Sequence, residues 1–148
     1  MACLFCAVAA GDQPAHVVLD TGTVVAFLDH RPLFEGHTLV IPRSHVATIR
    51  DLDALLRDDL FARVQQVAAG VQDAMGADGT FLAANNVVSQ SVPHLHVHVV
   101  PRRFKDGLRG FFWPRGRYDS DVAAAGVAAR IRAVLEEGVA GISNDVIV

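Results

Sequence analysis

The longest regular pattern in the chain is a stripe of apolar residues, Leu56, Leu60, Val64, Val67, Val71 and Met75, spaced three or four apart. Side chains at that spacing share one face of an α-helix, so the stripe predicts a helix from about Leu52 to Met75. Asp51 or Asp53 is placed to cap its start and Gly76 its end. Such a stripe of valine, leucine and methionine is a core-facing surface, not a cofactor site. Leu4 to Ala10 predicts a short helix stopped by Gly11. Ala15 to Leu19 and Thr23 to Leu28 predict a hairpin turning through Asp20, Thr21 and Gly22. A loop with Pro32 and Gly36 then leads to a short apolar strand, His37 to Ile41, stopped by Pro42. Thr80 to Asn85 predicts a strand that opens into a polar loop, Asn85 to Ser91. A last helix is expected from Asp119 to Glu137, with Val127, Ile131 and Val134 on one face and Gly138 ending it. Hairpins with one long helix and no βαβ rhythm indicate an α+β domain on a mainly antiparallel sheet.

The most regular alternation lies at Pro93 to Arg103, PHLHVHVVPRR. In a strand, successive side chains point to opposite faces, so His94, His96 and His98 share one face while Leu95, Val97 and Val99 fill the other. Adjacent histidines then stand about 6.5 to 7 Å apart, two strand rises. That spacing lets a phosphate lie against more than one ring. Alternate strand histidines are also ordinary zinc or copper ligands, so a metal is the second reading for one or more of them.

Composition narrows the picture. A chain of 148 residues with 51% hydrophobic and 20% charged residues suits one globular domain with a core of its own. The net charge of −3 argues against general affinity for polyanions, and nucleic acid is not expected as a partner. Locally, however, Arg102, Arg103, Lys105, Arg109, Arg115 and Arg117 oppose only Asp106. That cluster suits an anionic substrate beside the histidines, or, on composition alone, a solvated charged loop. The two cysteines, Cys3 and Cys6, form a C-x-x-C pair, too few for a disulfide framework. A thioredoxin-like redox site needs a βαβ unit that the pattern lacks. The apolar run from Ala2 to Ala10 has no basic n-region and is not read as a signal peptide. No apolar run approaches a membrane span, and the expected location is cytoplasmic.

The His-x-His-x-His pattern followed by two apolar residues resembles the signature of the histidine triad (HIT) family of nucleotide hydrolases and transferases. The resemblance spans roughly Cys3 to Arg103 through LFCAVAAGDQPAH, VVAFLDHRPLFEGHTLVIPRSH and NNVVSQSVPHLHVHVVPR. It implies a single HIT-like domain over 1–148, with the motifs in 1–103 and a C-terminal extension in 104–148. The implied fold is a five-stranded, mainly antiparallel sheet with one long helix and a C-terminal helix. The implied reaction is attack by His96 on the α-phosphorus of a purine nucleotide, forming a nucleotidyl-histidine that water cleaves. A neutral imidazole is nucleophilic near its ordinary pKa of about 6.5.

By the same resemblance His98 bonds the phosphate oxygens and His37 helps position the triad. Ser91 and Gln90 stand beside the scissile bond, and Asn85 reaches the phosphates. Asp29 grips the ribose hydroxyls, and Phe5, Val8 and Phe27 form the base slot; all three are otherwise core residues. Cys3, Cys6, His45 and His94 match positions where some bacterial members bind structural zinc, which leaves His96 and His98 to the phosphate. No organic cofactor is expected, and a homodimer joining two sheets is. The chain departs from the pattern at NNVVSQ, which is shorter than usual and lacks the family's glycines, so its backbone should approach phosphate differently. GLRGFFWPRGRY lies beyond the resemblance and suits a lid or a dimer contact. Two other functions stay open: a nucleotide-binding or interaction module with little turnover, and a DNA-end deadenylating variant.

Overall fold

A computed structural model describes residues 3–108 and 117–142. In chain order the elements are α1 (Leu4–Ala10), β1 (Val17–Asp20), β2 (Val24–Leu28), β3 (Thr38–Pro42), α2 (Ala54–Ala74), β4 (Gly79–Ala83), β5 (Val97–Arg102) and α3 (Asp121–Ile142), with a 3-10 turn at Ile49–Asp51. The chain forms two compact units, Met1–Leu108, which holds the sheet with α1 and α2, and Arg109–Val148, which holds α3. Most of the aromatic and basic stretch expected to act as a lid or contact, residues 109–116, lies outside the described residues. No helix among the described residues is long and apolar enough to cross a membrane.

The five strands form one sheet in the order β1-β2-β3-β5-β4, antiparallel throughout. This is the α+β architecture that the hydrophobic pattern predicts. β5 sits between β3 and β4, pairing Val97 with Val40 on one side and His98 with Ala83 on the other. The strand carrying the last histidine is therefore hydrogen-bonded on both edges, which fixes which way each side chain faces.

Period-two alternation divides the sheet's side chains into two cores. Val24, Ala26, Val40, Val97 and Val99, with Leu95, pack on Leu60, Val64 and Val67 of α2. Val25, Phe27, Leu39 and Ile41 on the opposite face pack on Phe5, Val8 and Ala9 of α1. Asp53 caps α2 by accepting the Leu56 N–H at 2.8 Å, and Gly76 follows its end with φ +55°. Arg103 donates to the carbonyls of Met75 and Gly76, satisfying acceptors that a helix end leaves free. Gly11, with φ +83°, ends α1 by donating its N–H to Ala7 and Val8.

Leu60 is fully buried beneath the sheet, whereas Leu55, five residues earlier on the same helix, is 85% exposed. Leu60→Ala should cost about 2 to 5 kcal/mol through lost burial and a residual cavity. Leu55→Ala should stay within about 0.5 kcal/mol of the parent. Urea midpoints for the two variants check the pair, and equal losses would contradict this core assignment.

Several boundaries differ from the pattern-based expectation; β3 runs through Pro42 instead of stopping before it, and β4 spans Gly79–Ala83 and not Thr80–Asn85. β1 begins at Val17 rather than Ala15, and its register with β2 is irregular between Val17 and Leu19. α3 runs through Gly138 to Ile142, because a glycine inside a helix costs only about 1 kcal/mol and ends one only where the chain after it turns away. The ladder of β5 starts at Val97, so His94 and His96 lie on the segment leading into it. There the Leu95 N–H is taken by the Val46 carbonyl at 2.6 Å rather than by a neighbouring strand.

Candidate active site and metal cluster

The histidines keep one face even where the ladder has ended. Leu95, Val97 and Val99 belong to the core on the α2 side, while His94 and His96 meet the ring of Phe5 on the α1 side, with centroids 6.0 and 5.2 Å away. The His96 and His98 ring centroids are 4.9 Å apart at an interplanar angle of 71°. The rings thus lean together more closely than the strand rise alone implies. His37, immediately before β3, completes the group with its ring 5.1 Å from that of His98.

Hydrogen bonds around these rings specify the tautomers. His96 Nδ1 lies 2.7 Å from the His94 carbonyl; a carbonyl only accepts, so Nδ1 carries a proton and Nε2 is the lone-pair atom of the neutral ring. Nε2 makes no hydrogen bond to any described residue, and no buried side-chain nitrogen or oxygen among them lacks a partner. His96 as a whole is 2% exposed. The Leu33 N–H donates to His37 Nδ1 at 3.2 Å, which assigns the proton of His37 to Nε2. His37 Nε2 then donates to His98 Nδ1 at 3.0 Å, and the proton of His98 stands on Nε2. One ring presents a lone pair and its neighbour an N–H.

Burial pushes the pKa of His98 down to about 4, helped by His96 and His37, and burial also lowers His37 against the opposing pull of Asp29. Both rings are held neutral, as the tautomer chain requires. For His98 the unfolded chain binds a proton near pH 6.5 and the folded one only near 4. The stabilisation is therefore complete above about 6.5 and is lost as pH falls toward 4. The loss from this group is of the order of 2 kcal/mol by pH 4.5. Thermal midpoints at pH 7 and 4.5 should fall less for His98→Asn than for the parent, and parallel slopes would contradict it.

A second cluster sits at the start of the triad. Cys3 Sγ is 3.4 Å from His94 Nδ1, Cys6 Sγ is 3.6 Å from the same nitrogen, and Cys6 Sγ is 3.3 Å from His45 Nδ1. Sulfur at 2.3 Å and nitrogen at 2.0 to 2.1 Å from a tetrahedral zinc stand about 3.6 Å apart, so these separations are close to tetrahedral edges. The four donor atoms all lie within 4.8 Å of one another. His94 Nε2 donates to the Pro42 carbonyl at 2.8 Å, leaving Nδ1 unprotonated and aimed at the sulfurs, the usual backing of a metal-bound histidine. Cys3, Cys6, His45 and His94 fit a structural zinc. Asp29, His37 and His98 are also mutually close, but as a file: Asp29 Oδ2 is 3.7 Å from His37 Nδ1, and the far side of that ring bonds His98.

The other expected site residues are distributed unevenly. Asp29 ends the hairpin with its side chain 16% exposed; Oδ1 accepts the Arg31 N–H at 2.8 Å, and Oδ2 is the less committed oxygen. Phe5, Val8 and Phe27 are core residues, 5 to 8% exposed, with Phe5 and Phe27 edge-on at 5.5 Å. Asn85 and Ser91 are exposed on the polar loop, Asn85 donating to the Ser89 carbonyl at 3.2 Å. Gln90 is spent within the loop, its Oε1 accepting the Val87 N–H at 2.9 Å and its Nε2 donating to the Ala47 carbonyl at 2.8 Å. Asn86, next to the expected Asn85, anchors the loop by accepting the Ile49 N–H at 2.8 Å. Two of the cations grouped beside the triad by sequence serve structure instead: Arg102 pairs with Asp106, and Arg103 caps α2.

The sheet order and the file of neutral rings define a histidine triad protein. Residues 10–105 match the model of the HIT domain, and the chain belongs to that family. It is 37% identical over 128 residues to a HIT-like protein of Mycobacterium tuberculosis, covering 85% of this chain and 89% of that one. To the adenosine 5'-monophosphoramidase of Schizosaccharomyces pombe it is 33% identical over 116 residues, 77% and 84% of the two chains. Among solved structures, a zinc-bound histidine triad family protein from Mycobacterium smegmatis superposes with a TM-score of 0.69 at 34% identity, covering 90% of this chain and 98% of that one.

Proposed function

We propose that this chain is a nucleotidyl hydrolase or transferase that cleaves purine nucleotide substrates at the α-phosphate through His96. The observation that carries the reading is the pairing of a His96 whose Nδ1 is the donor, so that Nε2 is the lone-pair atom of the neutral ring, with a His98 whose Nε2 carries the proton, one step along the same face. In the first half-reaction His96 Nε2 bonds to phosphorus as the bond to the leaving group breaks; phosphate or acylate departs as the anion, and an amine departs with a proton taken from solvent, which the water consumed in the second half-reaction returns. The His94 carbonyl opposite Nδ1–H stabilises the imidazolium character that develops. His98 donates to a phosphate oxygen and stays neutral through the Leu33–His37 chain behind it. Water then attacks the same phosphorus, the His96–P bond breaks, and nucleoside monophosphate leaves.

In this reading Asp29 Oδ2 takes the ribose hydroxyls, the exposed edges of Phe5, Val8 and Phe27 border the base, and Ser91 and Asn85 face the phosphates. Gln90 keeps the loop in shape rather than touching the scissile bond. Zinc held by Cys3, Cys6, His45 and His94 ties α1 to the triad lead-in and supplies no chemistry. Phosphoramidates, dinucleoside polyphosphates and adenylylated compounds are the substrate types considered, and the name of the fission-yeast relative supports the first. A homodimer and a single functional domain over 1–148 complete the proposal. Purified protein incubated with adenosine 5'-phosphoramidate should release AMP at a rate proportional to enzyme. AMP binding by calorimetry with no turnover of any of the three types would favour a binding module instead.

A further inference from the structure

Met75, the last member of the α2 stripe, lies against the loop that carries His37. A methyl group placed on Gly36 would stand 2.7 Å from Met75 Cγ and 3.0 Å from its Sδ, well inside van der Waals contact. Gly36 also has φ +93°, a backbone state that residues with a Cβ rarely adopt. Glycine is required here twice over, once for the turn and once for the contact. The next residue in the chain is His37.

Direct bonds connect this contact to the triad. Thr38, which shares a cavity wall with Val71 and Met75, donates its hydroxyl to the Gly36 carbonyl at 3.0 Å. Between them, His37 donates its N–H to the Phe34 carbonyl at 3.0 Å, and its own carbonyl accepts the Asp29 N–H at 2.9 Å. The same loop curls back so that the Leu33 N–H reaches His37 Nδ1 at 3.2 Å, and His37 Nε2 reaches His98 Nδ1 at 3.0 Å. Met75 is held from the other side. Its N–H bonds the Val71 carbonyl at 3.0 Å, and its carbonyl accepts from Arg103. The end of α2 thus supports the loop, the loop aims the His37 ring, and that ring fixes the tautomer of His98.

We propose that Gly36 and Met75 are positioning residues for the triad: their contact seats His37 and, through it, holds His98 with its proton on Nε2, facing the phosphate. The kinetic consequence rests on the proposed reaction. The tautomer does not, and it can be read without substrate.

The test compares Gly36→Ala, Met75→Ala and the double variant with the parent, all as the full chain. The readouts are AMP release from adenosine 5'-phosphoramidate, thermal melting and nitrogen-15 spectra of the imidazoles. Gly36→Ala should lower kcat by about 30-fold with KM within about threefold, somewhat less than the roughly 10²-fold that a misplacement of about 1 Å costs. Met75→Ala removes the support without adding strain and should lower kcat by about fivefold, on the same scale. Removing both removes the clash, so the double variant should recover to within about threefold of Met75→Ala. Left-handed strain persists in that double variant, whose melting temperature should stay about 3 to 6 °C below that of Met75→Ala. Recovered turnover without recovered stability is what a merely structural contact would not give. In the parent His98 should show one tautomer, and in Gly36→Ala its two nitrogen shifts should move toward each other as tautomers mix. Parent-like kcat and His98 shifts in Met75→Ala, or a Gly36→Ala loss that the double variant does not recover, would overturn the positioning role. A parent that releases no AMP would overturn the reaction instead, and the imidazole spectra alone would then decide the role of the pair.

Discussion

His96→Asn should fold, bind AMP and lose nucleotide release by about 10⁴-fold or more, the scale seen when a covalent nucleophile is removed. Asparagine is the informative replacement because of what His96 does with each of its nitrogens. Nδ1 donates to the His94 carbonyl, and the asparagine Nδ2 can keep that bond, so the lead-in to β5 retains its shape. Nε2, the atom with the free lone pair, has no counterpart in asparagine. His96→Gly should be equally inactive while losing the edge contact with Phe5. A continuous release assay with calorimetry of AMP binding checks both halves. Turnover within tenfold of the parent would remove His96 from the reaction, and loss of AMP binding by the asparagine variant would show that the substitution had disturbed the site as a whole.

The second large effect is expected at the Cys/His cluster. Cys6→Ser should drop bound zinc from one equivalent per chain to a small fraction, and Cys3→Ser likewise. Free metal at 1,000 times its dissociation constant stabilises a native state by about 4 kcal/mol, so either variant should lose a stabilisation of that order, as should the parent stripped by a chelator. His94 gives this loss a route to the active site. Its Nδ1 faces the sulfurs while its carbonyl orients His96, so part of the loss should surface as lower kcat. Metal analysis with thermal melts before and after chelation provides the check. A parent that purifies without zinc, takes up none, and melts at the same temperature in chelator would refute the assignment.

Much of this architecture was legible because it rests on local rules. The stripe from Leu56 to Val71, the cap at Asp53 and the stop at Gly11 follow from helix period and termini. The shared face of His94, His96 and His98 follows from alternation alone, and it survives the absence of ladder bonds before Val97 because Leu95 is anchored in the α2-side core. Features set by partners distant in sequence were not legible. Nothing in PHLHVHVV announces that the Leu95 N–H belongs to Val46, or that pairing with β3 and β4 begins only at Val97. Arg102 and Arg103 read as substrate cations until Asp106 and the end of α2 claim them. Gln90 reads as a catalytic amide until Val87 and Ala47 take both its ends. The tautomers needed the Leu33 N–H and the Pro42 carbonyl, backbone groups that no motif names. A signal for the unusual loop did exist, since NNVVSQ places valine and serine where a phosphate loop favours glycine, and the positive φ angles of Val87 and Ser89 fall on that stretch.

The proposed reaction requires a phosphorus–nitrogen bond at one ring, that of His96. Protein quenched in acid-free denaturant within seconds of mixing with adenosine 5'-phosphoramidate should show, by intact mass, an adduct of a single adenylyl group, and peptide mapping should locate it on His96. Steady AMP release with no adduct at any quench time, or an adduct on another residue, would contradict it.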